Sequence, residues 1–233
     1  MATSGSTSWS QNRDEVITAA LRKIGILPSG GTPTANQVSD ATAALNGLVK
    51  TLQADGMPLW KILSQTFTQV AGTATYTVGP SQTINCPKPL RIIQAIYTPT
   101  SGVNLPMNIY NRYDFNNLPQ GPTVTGSPIN FYYQPGRLIG TITLWPTPAD
   151  ALGTITFHYQ SMYEDMTTST DDFDFPSEWI LPLTYMLAWV MAPEFGVPLL
   201  DRNSLKADAE YWHQYVLSMG TEEGGAFIQP DTE

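Results

Sequence analysis

The chain has 233 residues, of which 42% are hydrophobic and only 13% are charged, about half the ~25% charged fraction that is usual in soluble domains. Its net charge of −9 gives little support to DNA or an anionic membrane as an attracted partner, although an acidic protein can surround DNA that must slide past it. Cys86 is the single cysteine, which excludes an internal disulfide and favours a buried structural thiol.

Two amphipathic helices are predicted near the N-terminal end. The preceding stretch, "MATSGSTSWSQNRDE", lacks the basic and apolar regions of a signal peptide. Asn12 and Glu15 have capping-box spacing at the start of the first helix, and Thr34 and Gln37 have the same spacing at the start of the second. The apolar residues of the second helix recur every three or four positions, at Val38, Ala41, Leu45, Leu48 and Leu52. Each helix must therefore bury one face.

A β-rich region is predicted from about residue 64 to residue 165, where Thr, Val, Ile and Tyr are punctuated by Gly and Pro. The peptide "QPGR" predicts a hairpin turn, and the segment around "NRYDFNN" predicts a long loop with one short helical turn. Six strands are predicted, at "SQTFTQV", "TATYTV", "LRIIQAIYT", "INFYYQPG", "LIGTITLWP" and "TITFHYQSMY". Consecutive strands of this kind pair as a meander or a small sandwich.

Helices are predicted again after the acidic linker "TTSTDDFDF". The third helix lies in "PSEWILPLTYMLAWVMAPEFG", whose uncharged part between Glu178 and Glu194 is shorter than the ~18–20 residues that cross a bilayer. Its apolar residues point in most directions, so the helix is either central or covered by a neighbouring subunit. The fourth helix is predicted from about Leu199 to Met219, and "GTEEGGAFIQPDTE" is predicted to be an extended tail.

The order helix–helix, strands, helix–helix predicts an α+β fold, specifically a four-helix bundle with an antiparallel β-domain inserted between helices 2 and 3. The predicted domains are residues 1–62 and 167–220 for the two helical pairs, 63–166 for the β-domain and 221–233 for the tail.

The sequence contains no recognisable metal or cofactor motif. His158 and His213 are the only histidines, and neither belongs to a zinc-binding pattern. An acidic run contains Asp171, Asp172 and Asp174. It lacks the glycine and the closing glutamate of an EF-hand loop, so we interpret it as a solvated linker that caps the next helix. No cofactor and no metal site are therefore predicted.

The sequence leaves two alternative functions open, a hydrolase and a carbohydrate-binding module. A cell-wall hydrolase would need two carboxylates placed across a cleft, whereas the acidic pairs here are adjacent in sequence, at Glu164–Asp165 and Glu222–Glu223. A carbohydrate-binding module of a tail fibre or adhesin would need exposed aromatic residues, for which the candidates are Tyr132, Tyr133, Trp145 and Tyr159. Aromatic residues on strands are more typical of cores and cross-strand pairs. The sequence therefore favours a protein that is not an enzyme.

The N-terminal motifs resemble those of one known family. The segment "ALRKIGIL" is followed by "ALN" at residues 44–46 and by a helix exit containing Asp55, Gly56, Leu59 and Trp60. The later "LWPTPAD" and the apolar third helix continue the likeness over nearly the whole chain. In this order the motifs resemble the head-to-tail adaptors of short-tailed bacteriophages, also called packaged-DNA stabilisation proteins, tail accessory factors or tail tubular protein A.

The resemblance implies a virion protein that is made in the bacterial host cytoplasm and acts at the head–tail junction. Members of that family form a ring, usually of twelve subunits, beneath the portal protein. The ring extends the DNA channel, retains packaged DNA, and supports the tail nozzle, with tail fibres as a further candidate partner; genomic DNA passes through without specific binding. The resemblance also implies no membrane partner.

Two groups of residues in this chain are assigned to such an assembly. Docking to the portal is assigned to the tail, at Phe227, Ile228 and Pro230. Contact between subunits is assigned to apolar residues that the predicted bundle does not use or that lie at the helix exit, namely Ile180, Tyr185, Trp189 and Trp60.

Overall fold

The computed structural model describes residues 5, 9–53, 61–119 and 124–219. The chain divides into two compact units. The helical unit comprises Met1–Leu59 and Tyr163–Glu233, and the β-rich unit comprises Trp60–Met162.

Five α-helices are present in the described part of the chain: α1 (Arg13–Lys23), α2 (Ala35–Leu52), α3 (Arg112–Asn116), α4 (Ile180–Met191) and α5 (Leu199–Met219). Both predicted capping boxes are confirmed. The Asn12 side chain accepts a hydrogen bond from the Glu15 amide, the Glu15 carboxylate accepts one from the Asn12 amide, and Thr34 and Gln37 repeat the arrangement. These caps satisfy amide groups that the first helical turn leaves free, so they fix where α1 and α2 begin.

The prediction of a four-helix bundle with an inserted antiparallel β-domain is wrong. In the helical unit α4 is central, with α1, α2 and α5 all packed against it. Within the described residues α5 packs extensively on α4 alone, so the four helices do not close around one shared core as a bundle requires. A fifth helix, α3, lies in the β-rich unit, and the strands form three sheets. The fold is α+β with a large β content.

The described strands number eleven: β1 (Ile62–Thr68), β2 (Thr75–Gly79), β3 (Ile84–Asn85), β4 (Arg91–Thr98), β5 (Leu105–Pro106), β6 (Asn108–Tyr110), β7 (Thr125–Gly126), β8 (Asn130–Pro135), β9 (Gly140–Trp145), β10 (Thr147–Pro148) and β11 (Thr154–Gln160). All six predicted strands are present, and the predicted hairpin joins β8 to β9.

Two larger sheets and one short pair make up the β-rich unit. The strand orders are β1-β11-β4-β5 and β3-β2-β9-β8-β6, with β7 and β10 forming the separate pair. The first and last strands, β1 and β11, are antiparallel neighbours, so the unit is closed by its own ends and is not a simple meander. Three pairs are parallel, β2 with β3, β6 with β8, and β7 with β10, so the predicted purely antiparallel arrangement is also wrong.

Both larger sheets contribute to one hydrophobic core. In β9 and β11 alternate residues point inward, so Ile142, Leu144, Ile155, Phe157 and Tyr159 are buried. The buried set also includes the thiol of Cys86, as the sequence predicts. Each large side chain buried in this way stabilises the unit by about 1.5–3 kcal/mol relative to exposure. The β-rich unit therefore has a sandwich core of its own.

A tyrosine ring covers a glycine in the neighbouring strand of this sandwich. A Cβ atom added at Gly140 would collide with the ring of Tyr133, so a side chain at position 140 would displace that ring. The Tyr133 hydroxyl donates a 2.5 Å hydrogen bond to the Pro89 carbonyl oxygen. Burial raises the pKa of Tyr133 to about 12, and the nearby Cys86 thiol adds to the effect.

The helical unit is fastened by polar contacts between its N-terminal helices and the segment before α4. The Asn46 side-chain amide donates to the Met166 carbonyl oxygen at 3.0 Å and accepts from the Met166 amide at 2.9 Å. Arg13 donates to the Thr167 carbonyl oxygen at 3.0 Å. Next to Asn46, Leu45 is completely buried. In the peptide "ALN", Leu45 thus lies in the core, and Asn46 makes a pair of hydrogen bonds with the backbone of Met166.

Replacing Leu45 with Asp should unfold the helical unit. The change removes a fully buried side chain and introduces a charge without a partner, which costs at least about 4 kcal/mol. Urea unfolding followed by circular dichroism would measure the loss. The matched control is Ala43→Asp, on the exposed face of the same helix, which should cost less than about 1 kcal/mol. Similar losses in both variants would contradict the packing described for α2.

Replacing Tyr133 with Phe should reduce the alkaline destabilisation of the protein. The pKa of Tyr133 is higher in the folded state, at about 12, than the ~10 of an unfolded tyrosine. The folded state therefore keeps the proton longer, and the free energy of unfolding falls as pH rises from ~10 to about 12. The difference in the free energy of unfolding between the wild type and the Tyr133→Phe variant at pH 7 would measure the loss of the hydrogen bond alone. Parallel declines between pH 10 and 12 would show that Tyr133 is not responsible.

Candidate functional site

Helix α4 is the core of the helical unit. It contains no charged residue, and Trp179, which directly precedes it, is also buried. Eight of its twelve residues are buried: Ile180, Pro182, Leu183, Thr184, Met186, Leu187, Ala188 and Met191. The buried Thr184 hydroxyl donates to the Ile180 carbonyl oxygen at 2.7 Å, so it places no unpaired polar group in the core. Among the described residues, no helix is both long and apolar enough to cross a membrane.

Within the described residues, one face of α4 is left partly exposed. Leu181 is 40% exposed, Trp189 is 37% exposed, and Tyr185 between them is partly exposed. Residues four apart lie on the same face of a helix, so these three side chains form a single apolar strip, which we call the α4 stripe. The ammonium group of Lys23, at the end of α1, lies 3.7 Å from the centre of the Tyr185 ring. This cation–π contact orients the ring without burying it.

The α4 stripe contains two of the four residues to which subunit contact was assigned. Tyr185 and Trp189 lie on it, whereas Ile180 is only 3% exposed and is packed inside its own unit. Trp60 lies outside the described residues, as do the tail residues assigned to the portal, Phe227, Ile228 and Pro230. Sequence reasoning missed Leu181, although its four-residue spacing from Tyr185 was a sufficient signal.

A groove lies at the end of α1. Its volume is about 520 Å³, and it is lined by residues from the end of α1, the α4–α5 loop and the start of α5, including Lys23, Ile24, Phe195, Val197 and Leu205. Lys23 borders both this groove and the α4 stripe. Lys23 therefore links the α4 stripe to a concave region.

Helix α5 carries a second uncovered strip. Ala209 and Val216 are buried on its inner side. On the outer side, uncharged residues recur every three or four positions at Leu200, Ser204, Ala207, Tyr211 and Tyr215, and we call this row the α5 stripe. All five residues are exposed, with Leu200 at 80%, Tyr211 at 62% and Tyr215 at 52%. Both tyrosine rings meet Trp212 edge to face, at 5.2 and 6.2 Å between ring centres. Large apolar side chains in such rows are typical of interaction surfaces.

The acidic linker forms a turn of its own. The Asp171 carboxylate accepts hydrogen bonds from the backbone amides of Thr167 and Thr168, both at 2.6 Å. Hydrogen bonds, foremost that from the Thr168 hydroxyl, lower the pKa of Asp171. Asp171 therefore closes the loop before α4 and does not cap the helix, contrary to the sequence interpretation. Within the described residues, no group of three or more His, Cys, Asp and Glu side chains could hold a metal ion.

In the acidic pair Glu164–Asp165, the candidate for hydrolysis, Asp165 forms an ion pair within the helical unit. Asp165 forms a 2.6 Å ion pair with Lys50, whose ammonium group also donates to the Tyr163 carbonyl oxygen at 2.8 Å. Both charged side chains are substantially exposed. The pair therefore ties α2 to the linker at the surface. Glu222 and Glu223 lie outside the described residues.

The aromatic residues of the carbohydrate-binding alternative are dispersed among intramolecular contacts. Tyr159 is 1% exposed. Tyr132 stacks on Phe115 with 5.1 Å between ring centres, and the Trp145 indole nitrogen donates to the Pro119 carbonyl oxygen at 3.0 Å. Tyr133 is bound to Pro89, as described above. The structure therefore does not gather these rings into one exposed platform.

Comparison with known proteins identifies the family. A protein-family model described as "SU10 adaptor protein" matches residues 11–222, which is most of the chain. No curated protein matches the chain. The expected likeness to phage head-to-tail adaptors is confirmed. The chain belongs to the SU10 adaptor protein family, and it is a structural adaptor protein of a phage virion.

Proposed function

We propose that this SU10 adaptor family member forms a ring, of twelve copies, beneath the portal protein at the head–tail junction of a phage. The ring extends the DNA channel, retains the packaged genome, and supports the tail nozzle, with tail fibres as further partners. This proposal refines the role of phage structural adaptor that the family match establishes.

The observation that carries the proposal is the uncovered α4 stripe. Leu181, Tyr185 and Trp189 belong to the most apolar helix of the chain, yet its own unit leaves them partly exposed to solvent. Covering them with a neighbouring copy removes this apolar surface from water, which is favourable by about 25 cal/mol for each Å² buried. A ring gives every copy such a neighbour, because a head-to-tail contact repeats until it closes.

The composition also supports a channel for DNA. A net charge of −9 opposes tight binding of phosphate groups, so a duplex could slide through the ring without being held. The low charged fraction of 13% fits a surface that is largely occupied by other subunits, because charged residues are depleted in the cores of interfaces.

The proposed contact with the portal is made by the C-terminal tail. The apolar peptide Ala226–Phe227–Ile228 lies between two glycines and Pro230. A short apolar segment in polar, glycine-containing sequence can fold onto a partner when it binds. Phe227, Ile228 and Pro230 are the proposed docking residues.

Mixing the protein with the portal of the same phage should produce a complex that carries an additional ring in electron micrographs. Replacing Leu181 with Glu should reduce ring occupancy at least tenfold, because the change puts a charge into the contact between copies. The variant should remain folded, since an acidic residue is favourable in the first turn of a helix. Particle counts and thermal unfolding would measure the two effects.

The matched control for this experiment is Leu138→Glu. Leu138 is 75% exposed and lies in the β8–β9 hairpin of the β-rich unit, so it does not belong to the α4 stripe. Normal ring formation by both leucine variants would exclude the α4 stripe from the contact. A wild-type protein that neither binds the portal nor forms a ring would refute the proposed function itself.

Deleting residues 225–233 should weaken portal capture at least tenfold while leaving thermal unfolding unchanged, because this segment lacks the periodicity of a core element. A pull-down on immobilised portal would measure capture. A Phe227→Ala/Ile228→Ala double variant should reproduce most of the loss. Wild-type capture by the truncated protein would remove the tail from the docking proposal.

A further inference from the structure

The α5 stripe is a second apolar surface that the α4 stripe does not account for. It runs from Leu200 to Tyr215, and its large members are Leu200, Tyr211 and Tyr215. The opposite side of α5 already packs on α4 through Ala209 and Val216. The smaller members, Ser204 and Ala207, leave space between the large ones, so the stripe consists of separated projections.

A complementary surface lies on α2. Its exposed side, here called the α2 face, consists of Asn36, Asp40, Ala43, Gly47 and Thr51, again three or four positions apart. The buried residues of α2, among them Leu45 and Val49, lie on the opposite side. At the middle of the α2 face Ala43 and Gly47 have almost no side chain, so another helix could approach its backbone closely.

Among the described residues, nothing packs against the position where a side chain of residue 47 would begin. A Cβ atom added there would have no neighbour within 4 Å. Glycine inside a helix is less favourable than alanine, because it loses more backbone freedom on folding. A close approach by another molecule would make the missing side chain useful.

We propose that the α5 stripe of one copy packs on the α2 face of the next copy. This contact deepens the proposed ring and rests on it. Large side chains on one helix can enter the space beside small residues on the other, as in ridges-into-grooves packing. The two helices, with 18 and 21 residues, have matching lengths of about 27 and 32 Å. Since the two surfaces differ, the contact is head-to-tail and can repeat around a ring.

The size of the stripe favours a second copy held in a ring over a stable isolated pair. Leu200, Tyr211 and Tyr215 together expose roughly 400 Å² of side chain, given the usual size of such residues. A stable pair of proteins typically buries ~800 Å² on each partner. In a ring each copy uses its α5 stripe on one side and its α2 face on the other, so every copy is held twice.

Cysteine cross-linking tests this contact. A variant that combines Ala43→Cys on the α2 face with Ala207→Cys on the α5 stripe should form a ladder of disulfide-linked oligomers under mild oxidation. Each single variant should stay monomeric on a non-reducing gel, because a head-to-tail contact does not bring identical positions together. Native Cys86 is buried. The wild-type protein, oxidised in the same way, shows how much cross-linking Cys86 alone produces. The experiment is run on the free protein at high concentration and on the portal-bound protein.

The control pair replaces Ala207→Cys with Lys206→Cys, an exposed neighbour that points about 100° away around α5. Cross-linking of the double variant at least tenfold above this control supports the contact. Dimers of Ala207→Cys alone would show that α5 packs on α5 and would overturn it. The absence of a ladder in both samples would also overturn the proposed contact between α5 and α2. If rings form on the portal without a ladder, this contact is wrong but the proposed function stands.

A Gly47 series provides a second readout. Gly47→Leu should lower ring occupancy on the portal at least tenfold, whereas Gly47→Ala should raise the thermal midpoint and assemble almost normally. An alanine side chain fits in the free monomer, since nothing lies within 4 Å of an added Cβ atom. Position 47 is exposed, and the thermal midpoint of Gly47→Leu would show whether the free monomer also accepts leucine. Normal assembly of Gly47→Leu would show that no helix approaches α2 closely at this point.

Discussion

The helical unit is governed by the need to cover α4. A helix without a charged residue cannot present any side to water without exposing apolar surface. Helices α1, α2 and α5 pack against it and bury eight of its twelve residues. The covering helices surround α4 only in part, so Leu181, Tyr185 and Trp189 stay on an open face. The surface that we propose for assembly is thus the part of α4 that α1, α2 and α5 leave exposed.

The β-rich unit meets the same requirement differently. Its two larger sheets place their inward residues in one core, and the pairing of β1 with β11 joins the start of the unit to its end. Phe131, Phe157 and Ile142 are completely buried there. The residues of this core are buried within their own unit, whereas the α4 and α5 stripes of the helical unit are exposed. The proposed self-assembly uses those two stripes.

The features that could be predicted from sequence are those that depend on neighbouring residues. The starts of α1 and α2 are predictable because a capping box needs only four consecutive residues, here Asn12 to Glu15 and Thr34 to Gln37. The alternating pattern of "TITFHY" identifies β11 for the same reason. Two-residue strands such as β3 and β5 carry no periodic signal and were missed. The bundle prediction failed because periodicity shows that a helix has an apolar face, but it does not show which helix covers that face.

The candidate surface was predictable to the extent that it follows from one helix. Tyr185 and Trp189 share a face of α4 by spacing alone, whereas the burial of Ile180 depends on which neighbours cover α4. Dividing the uncovered area between two stripes has a physical consequence for the proposed ring. The three large side chains of the α5 stripe supply roughly 400 Å², about half of the ~800 Å² that each partner buries in a stable pair, so the proposed contact would be weak between two free copies. A portal that binds several copies raises their effective concentration relative to one another, so weak contacts become sufficient. Under this scheme, assembly depends on the template because every individual contact is weak.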